Sequence, residues 1–206
     1  MKYFKRNKKK KVCFNPETAI ILLAEATEIC RKNNLRTWLT DGTLLGYYRE
    51  GGFISHDLDM DMGAFIEEYD QNLDSQFEKQ GWQIIRKLGD KSRGLELTLG
   101  KEDHHLDIFF FYKDDDTYWN ACWQGIKIHG KRFRRMIKYS YEEFSLKKIE
   151  FLDYSFNVPD DTEKYLITKY GNGWKTPQKD WDWALDPANA QVTDIIIPTK
   201  KKHWFL

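Results

Sequence analysis

The chain has 206 residues, 41% of them hydrophobic and 16% aromatic, enough for one folded domain with a substantial core. Its 33 basic and 32 acidic side chains leave a net charge of +1, which excludes a molecule built as a whole to bind polyanions, and no nucleic acid partner is expected. Cys13, Cys30 and Cys122 are scattered without C-x-x-C spacing, which excludes a disulfide framework and a zinc ribbon. There is no apolar run of about 18 residues and no signal-peptide core, so no transmembrane segment is expected.

Taken in chain order, residues 1–14 form a basic arm carrying Lys5, Arg6 and a lysine run over 8–11. Such an arm is either a solvated tail or an electrostatic tether to an anionic surface or a polyanionic acceptor. Asn15-Pro16-Glu17 predicts a helix start, with Asn15 as N-cap and Pro16 at the first helical position. Ile20, Leu23, Ala24, Ile29 and Cys30 give it one apolar stripe up to Lys32, and Asn33-Asn34 ends it. Residues 36–40 read as the first strand. Asp41-Gly42-Thr43 then reads as a turn that lets backbone N–H groups approach a ligand, followed by a helix over 43–49. A helix N-terminus favours anions, and Arg49 offers a planar donor fork for a phosphate.

Downstream, Asp57, Asp59 and Asp61 alternate with Leu58, Met60 and Met62, the period of a strand, so the three carboxylates leave one face. Same-face neighbours lie about 6.5 Å apart, and two carboxylates at that range repel by ~2–3 kcal/mol at an effective dielectric of about 20. A hard divalent cation is the economical counter-charge, Mg²⁺ first and Mn²⁺ second. The plainer alternative is the wet side of an edge strand. With a phosphate cradle just upstream, the pattern points to phosphoryl or nucleotidyl transfer. His56 reads as a structural neighbour of this strand.

Residues 65–80 predict a helix from Ile66, Tyr69, Leu73 and Phe77, with Gly81 just past its end. Strands follow over 82–88 and 95–99 around a Gly89-Asp90 turn. Residues 105–112 are the most apolar run and read as a central strand buried on both faces, with a single acid, Asp107, that needs a partner or a metal. It could complete a carboxylate cluster with Asp59 and Asp61, whereas His104 and His105 read as residues that begin the strand rather than as ligands. Residues 114–117 form a polar turn, and 118–123 with 125–129 read as a hairpin. Lys131, Arg132, Arg134, Arg135 and Lys138 make a second basic cluster, either an exposed strand or a rim that attracts an anionic ligand. A strand over 151–158, a cap at Pro159-Asp160-Asp161 and a helix over 162–169 ended by Gly171 complete the ordered pattern. Trp174, Trp181, Trp183 and Trp204, among Pro177, Pro187 and Pro198, read as a segment wrapped on the core, or as a stacking wall for a base or sugar. No repeat or linker divides the chain, so residues 15–190 are expected to be one catalytic domain and 191–206 a tail.

The phrase Asp41-Gly42-Thr43-Leu44-Leu45-Gly46, with Arg49, Phe53-Ile54 and Asp57-x-Asp59-x-Asp61, resembles the LicD/fukutin family of the nucleotidyltransferase-fold superfamily. Leu95-Glu96-Leu97, the run from Leu106 to Tyr112, Tyr165-Leu166, Tyr170-Gly171, Trp174-Lys175-x-Pro177 and Trp181-Asp182-Trp183 are most similar to its fukutin branch. The resemblance covers about residues 35–189. It implies an α/β (α+β) nucleotidyltransferase-like core, a short mixed β-sheet flanked by helices, with the Trp-rich segment wrapped on it. It also implies that Asp59, Asp61 and Asp107 form the catalytic, Mg²⁺-holding set, with Asp107 either a ligand or a general base, and that Asp41, Gly42, Thr43, Arg49 and Asp57 bind substrate. The implied reaction moves a phospho-alditol such as ribitol phosphate, or phosphocholine, from a CDP-linked donor to a sugar hydroxyl of a glycan acceptor and releases CMP. Two rivals stand beside it: transfer of NMP from an NTP, and a catalytically inactive module that binds glycan or polyanion. Leu58 stands where many family members have Asp, which leaves Asp59 and Asp61 intact. The membrane anchor and stem of Golgi-resident relatives are missing from this sequence, so a cytoplasmic location is expected, or a Golgi-type lumen for a piece of an anchored protein.

Overall fold

A computed structural model describes residues 14–199, so nearly all of the basic arm, and Trp204, lie outside the described residues. The elements are α1 (Pro16–Lys32), β1 (Thr37–Leu39), α2 (Asp41–Glu50), β2 (Asp59–Phe65), α3 (Asn72–Lys79), β3 (Gln83–Asp90), β4 (Arg93–Lys101) and β5 (His104–Asp114). They continue with β6 (Thr117–Ile128), β7 (Lys131–Glu142), β8 (Leu146–Phe151), β9 (Tyr154–Pro159), α4 (Thr162–Tyr170) and β10 (Ala190–Pro198). Eight strands form one sheet in the order β1-β2-β5-β6-β7-β10, with β4 also paired to β5 and β3 to β4, while β8 and β9 form a separate hairpin. The β2–β5 pair is parallel and the other described pairs are antiparallel, so the expected mixed sheet flanked by helices is what forms.

Strand β5 is the spine. Its residues 105–111 pair with β2, residues 104–109 pair with β4, and residues 112–114 turn to pair with β6. Leu106, Ile108, Phe110 and Phe111 are fully buried, as the apolar run demands of a strand covered on both faces. Helix α1 starts where expected, because the Asn15 side chain accepts hydrogen bonds from the Glu17 and Thr18 backbone N–H groups. His104 begins β5, and its Nε2 lies 3.0 Å from the Asn15 backbone nitrogen, tying α1 to the sheet.

Four sequence expectations shift. The helix predicted from residue 65 begins only at Asn72: Phe65 ends β2, one 3-10 turn (Ile66–Glu68) follows, and Asp70 starts the helix by accepting from Asn72 N–H. Ile66 and Tyr69 still reach the core from this irregular segment, so their spacing mimicked a helix. The hairpin expected within 118–129 is instead one long strand, β6, that turns at His129-Gly130, both at positive φ. The strand expected over 151–158 breaks at Leu152-Asp153, again both at positive φ, giving the β8–β9 hairpin. Finally, the tail expected after residue 190 is β10, which pairs with β7, so the strand carrying the second basic cluster is flanked on both edges.

Gly63 in β2 lies against Trp38 of β1, whose indole is buried and packs on Phe65 and Phe111 with ring centroids 4.6 and 4.9 Å away. A Cβ at this position would sit 2.3 Å from the Trp38 ring. Gly63→Ala is therefore expected to destabilise by about 1–3 kcal/mol through overpacking, measured by urea unfolding. Unchanged stability would mean that the ring has room to move.

Candidate active site

The site grows out of the β1–α2–β2 segment. Thr40 precedes α2 with its hydroxyl on Tyr165 rather than on the helix, and Asp41, the first residue of α2, holds a positive φ of 45°. Thr43 and Asp61 then exchange two hydrogen bonds: the Thr43 N–H donates to Asp61 Oδ2 at 3.2 Å, and the Asp61 N–H donates to Thr43 Oγ1 at 2.8 Å. Between them Gly42 is required by close approach, since a Cβ there would lie 2.1 Å from Asp57 Oδ2 and 3.1 Å from Asp61 Oδ2. The first turn of α2 thus sits directly against the carboxylates, as its Gly-Thr sequence suggested.

The alternation expected from Asp57 begins at Asp59, the first residue of β2. Met60 and Met62 are fully buried beneath the strand, but Leu58 is 54% exposed and belongs to the preceding loop. Asp57 reaches the cluster from that loop, accepting a hydrogen bond from the Leu58 N–H. One oxygen from each of Asp57, Asp59 and Asp61 lies within 4.8 Å of the others. Asp107 is the register partner of Asp61 across the parallel pair, so it leaves the same face. Its Oδ2 is 3.7 Å from the Arg86 guanidinium, and its Oδ1 is buried without a hydrogen-bond partner.

Crowding shows in the acidities. Burial, then Asp59, Asp57 and Asp107, push Asp61 well above the usual carboxylate range. Asp59 is pushed up to about 7 by burial and by Asp57, and burial raises Asp107. Carboxylates packed this closely in a poorly solvated site stay ionised together only beside a cation. The converging carboxylates of Asp57, Asp59 and Asp61 offer only hard oxygen donors, which fits a divalent ion of the Mg²⁺ type.

A cavity of about 510 Å³ opens over this cluster and is lined by Asp41, Gly42, Arg49, Asp57, Asp59, Asp61 and Asp107. Every candidate of the sequence reading lines it except Thr43, which is buried just behind the wall. Three charged residues that the sequence did not mark as site candidates line it too: Arg86, Glu96 and Lys169. Arg86 bridges Glu96 at 2.8 Å and Asp107, and Glu96 accepts from the Trp123 N–H. Burial, then Asp107, push Glu96 up to about 7. The sequence signal was Glu96 itself, an acid between Leu95 and Leu97 in a buried strand. Of the second basic cluster Arg134 alone lines this cavity, where it donates to the Trp123 carbonyl. Trp174, Trp181 and Trp183 form an aromatic side of the wall; Trp174 is 6% exposed and packed on the core, whereas Trp183 is 46% exposed.

Lys169, near the end of α4, is buried and ion-paired with Asp41, with its ammonium over the Tyr139 ring at 4.8 Å. Burial pulls its pKa down to about 7. Lys169→Met strands the Asp41 charge in the wall and is expected to destabilise by about 3–5 kcal/mol in urea unfolding. A loss below about 1 kcal/mol would mean that Asp41 finds water or another cation.

Residues 34–161 match the family described as LicD/FKTN/FKRP, nucleotidyltransferase domain. The chain is 38% identical over 175 residues to proteins named ribitol-5-phosphate transferase FKTN from Macaca fascicularis and Homo sapiens, covering 84% of this chain and 37% of each of them. It is 28% identical over 208 residues to the uncharacterized Caenorhabditis elegans protein T07A5.1, covering 96% of this chain and 54% of that one. In fold it is similar to the solution structure of the antibiotic-resistance factor ANT(2'')-Ia, at a TM-score of 0.51 and 15% identity over 82% of this chain and 78% of that one. The chain thus spans little more than a third of the length of its fukutin relatives, and none of its described helices is long and apolar enough to cross a membrane. The Gly-Thr turn, the convergent Asp57-x-Asp59-x-Asp61 and the matched residues agree: this chain belongs to the LicD/FKTN/FKRP nucleotidyltransferase-domain family.

Proposed function

We propose that this domain transfers a phospho-alditol of the ribitol-phosphate type, or phosphocholine, from a CDP-linked donor to a sugar hydroxyl of a glycan, and releases CMP. The observation that carries this reading is the convergence of Asp57, Asp59 and Asp61 beneath the first turn of α2, with Asp107 beside them and a cavity above. Asp57, Asp59 and Asp61 would hold Mg²⁺, or Mn²⁺ in its place. When bound, that ion supplies charge neutralisation for the diphosphate and for the CMP that departs.

The remaining work falls to the chain itself. The first turn of α2 offers the positive end of its dipole to the donor diphosphate, and Arg49 on the same helix, whose Nε and Nη2 donate to Glu50, would supply a guanidinium fork on giving up that contact. Asp107 is the group suited to take the acceptor's proton. Its Oδ2 lies 3.7 Å from the Arg86 guanidinium, and its Oδ1 has no hydrogen-bond partner. The acceptor oxygen then forms its bond to phosphorus as the bond to CMP breaks, and the proton ends on the Asp107 carboxylate.

The test is incubation with Mg²⁺, a glycan acceptor and, in turn, CDP-ribitol, CDP-choline, CTP and ATP. CMP release that depends on acceptor is expected from the CDP-linked donors. Pyrophosphate release from CTP or ATP without CMP would move the assignment to NMP transfer, which the same fold and acids can serve. No turnover, together with glycan or polyanion binding that survives Asp61→Asn, would leave an inactive binding module. Deleting residues 1–14 measures whether the basic arm contributes an anionic-surface contact, which would show as salt-sensitive vesicle binding.

A further inference from the structure

We infer that Lys169 is a positioning residue: through its ion pair it holds Asp41 in a left-handed conformation and so aims the first turn of α2 at the Asp61 carboxylate. The inference deepens the transferase reading and rests on it for its functional consequence. The chain of contacts is continuous. Lys169 on α4 pairs with Asp41, and both side chains are at most one-tenth exposed. Asp41 opens α2 at a φ of 45°, a region unfavourable to a residue with a Cβ that persists only where its surroundings hold it. Gly42 follows, tight against Asp57, and then Thr43, whose N–H ends on Asp61 Oδ2.

Nothing else among the described residues restrains the Asp41 side chain, since its oxygens make no hydrogen bond beyond the Lys169 contact. Lys169 is itself locked, with its ammonium over the rings of Tyr139 and Tyr170 and its carbonyl accepting from the Ala188 N–H. A helix from the far end of the domain thereby sets the backbone of the segment that faces the acids. Buried ion pairs contribute little to stability compared with apolar packing, so a role in geometry is the better account of this one.

If Lys169 acts through the backbone of residue 41, a glycine there makes it dispensable, because glycine takes positive φ without help. The test compares Asp41→Gly/Lys169→Met with Asp41→Ala/Lys169→Met. Both lack the ion pair and leave no buried charge, and they differ in whether residue 41 reaches its φ without strain. The readout is hydrogen exchange of the Thr43 amide by NMR with no substrate present, followed by CMP release from CDP-ribitol with Mg²⁺. Near-parental Thr43 protection is expected in the glycine pair, and exchange faster by about tenfold or more in the alanine pair, with turnover higher in the glycine pair. Equal protection in the two, at either level, overturns the inference. Thr43 protection that follows the glycine while turnover stays equally low in both would overturn its functional half, since Lys169 or Asp41 would then touch substrate directly. A parental protein with no CDP-ribitol turnover would sink the transferase reading alone, leaving the amide result to decide this one.

Discussion

Asp59→Asn is expected to make the metal-free protein more stable at pH 7.5 and, in the same molecule, to abolish its response to Mg²⁺. Asp59 is held at about 7 in the folded protein by burial and by Asp57, against about 4 in the unfolded chain. The folded state therefore keeps a proton that the unfolded state gives up. Stability from this group is fully present below pH 4 and is lost as pH rises through 7. The whole span corresponds to about 4 kcal/mol as an upper limit. Asparagine carries no charge to lose, so at pH 7.5 without metal it should unfold about 2 kcal/mol harder, a thermal midpoint raised by ~4–8 °C. The parental protein should gain stability on adding millimolar Mg²⁺ and the variant should gain little, with turnover lower by about 10²–10⁴-fold. Thermal melts at pH 5 and 7.5, in chelator and in Mg²⁺, check all of this. A variant that melts at or below the parental temperature at pH 7.5 in chelator would falsify the claim that the acids repel.

Gly42→Ala should separate function from stability even more cleanly. Gly42 has no positive φ, so the backbone accepts alanine, and inside a helix alanine is favoured over glycine by about 1 kcal/mol. The added Cβ meets Asp57 Oδ2, the far end of a side chain on a loop, which can swing away. Stability is then expected to stay within about 1 kcal/mol of the parent. The displaced Asp57 carboxylate leaves the cluster, however, and a misplacement of about 1 Å costs on the order of 10²-fold in rate. Gly46→Ala on the same helix is the control. Its Cβ would meet the Gly52 carbonyl oxygen at 2.5 Å and the Ile54 nitrogen at 3.1 Å, backbone atoms that cannot swing, so it should lose stability instead. Calorimetric Mg²⁺ titration and urea unfolding of the two variants read the contrast. Full Mg²⁺ affinity in Gly42→Ala would mean that Asp57 is no part of the ion's surroundings.

How much of this was legible beforehand depends on whether the signal was local. Asn15-Pro16 and Asp161 started helices as written, because a cap needs only its own neighbours. The run around Asp107 declared a central strand by composition alone, and Asp59 and Asp61 declared their common face by period, whereas Asp57 joins them from a loop. What stayed hidden was pairing. Nothing local to Arg86, Glu96 or Lys169 says that they face Asp107 and Asp41; that follows from the β3–β4–β5 register and from the long-range approach of Lys169 on α4 to the start of α2. Turn chemistry misled where the residues were ordinary ones at positive φ, as at Leu152 and His129, positions that glycine or asparagine would have announced. The family resemblance puts Asp57 among the substrate contacts, whereas the structure brings it into the tightest carboxylate set; it puts Asp107 in the metal-holding set, and the structure stands it next to Asp61 with Arg86 beside it.

Strand β5 also limits how the cavity can move. One unbroken strand carries Asp107 in its first half and hands over to β6 in its second, so the acidic wall and the β6–β7 wall share a single hydrogen-bonded rod. Rotating one wall against the other would tear ladder bonds on both edges of that rod, which makes a clamshell closure unavailable to this fold. Any opening of the wall then falls to the Trp174–Trp183 stretch and the loop around His56 and Asp57, the parts that belong to no strand or helix.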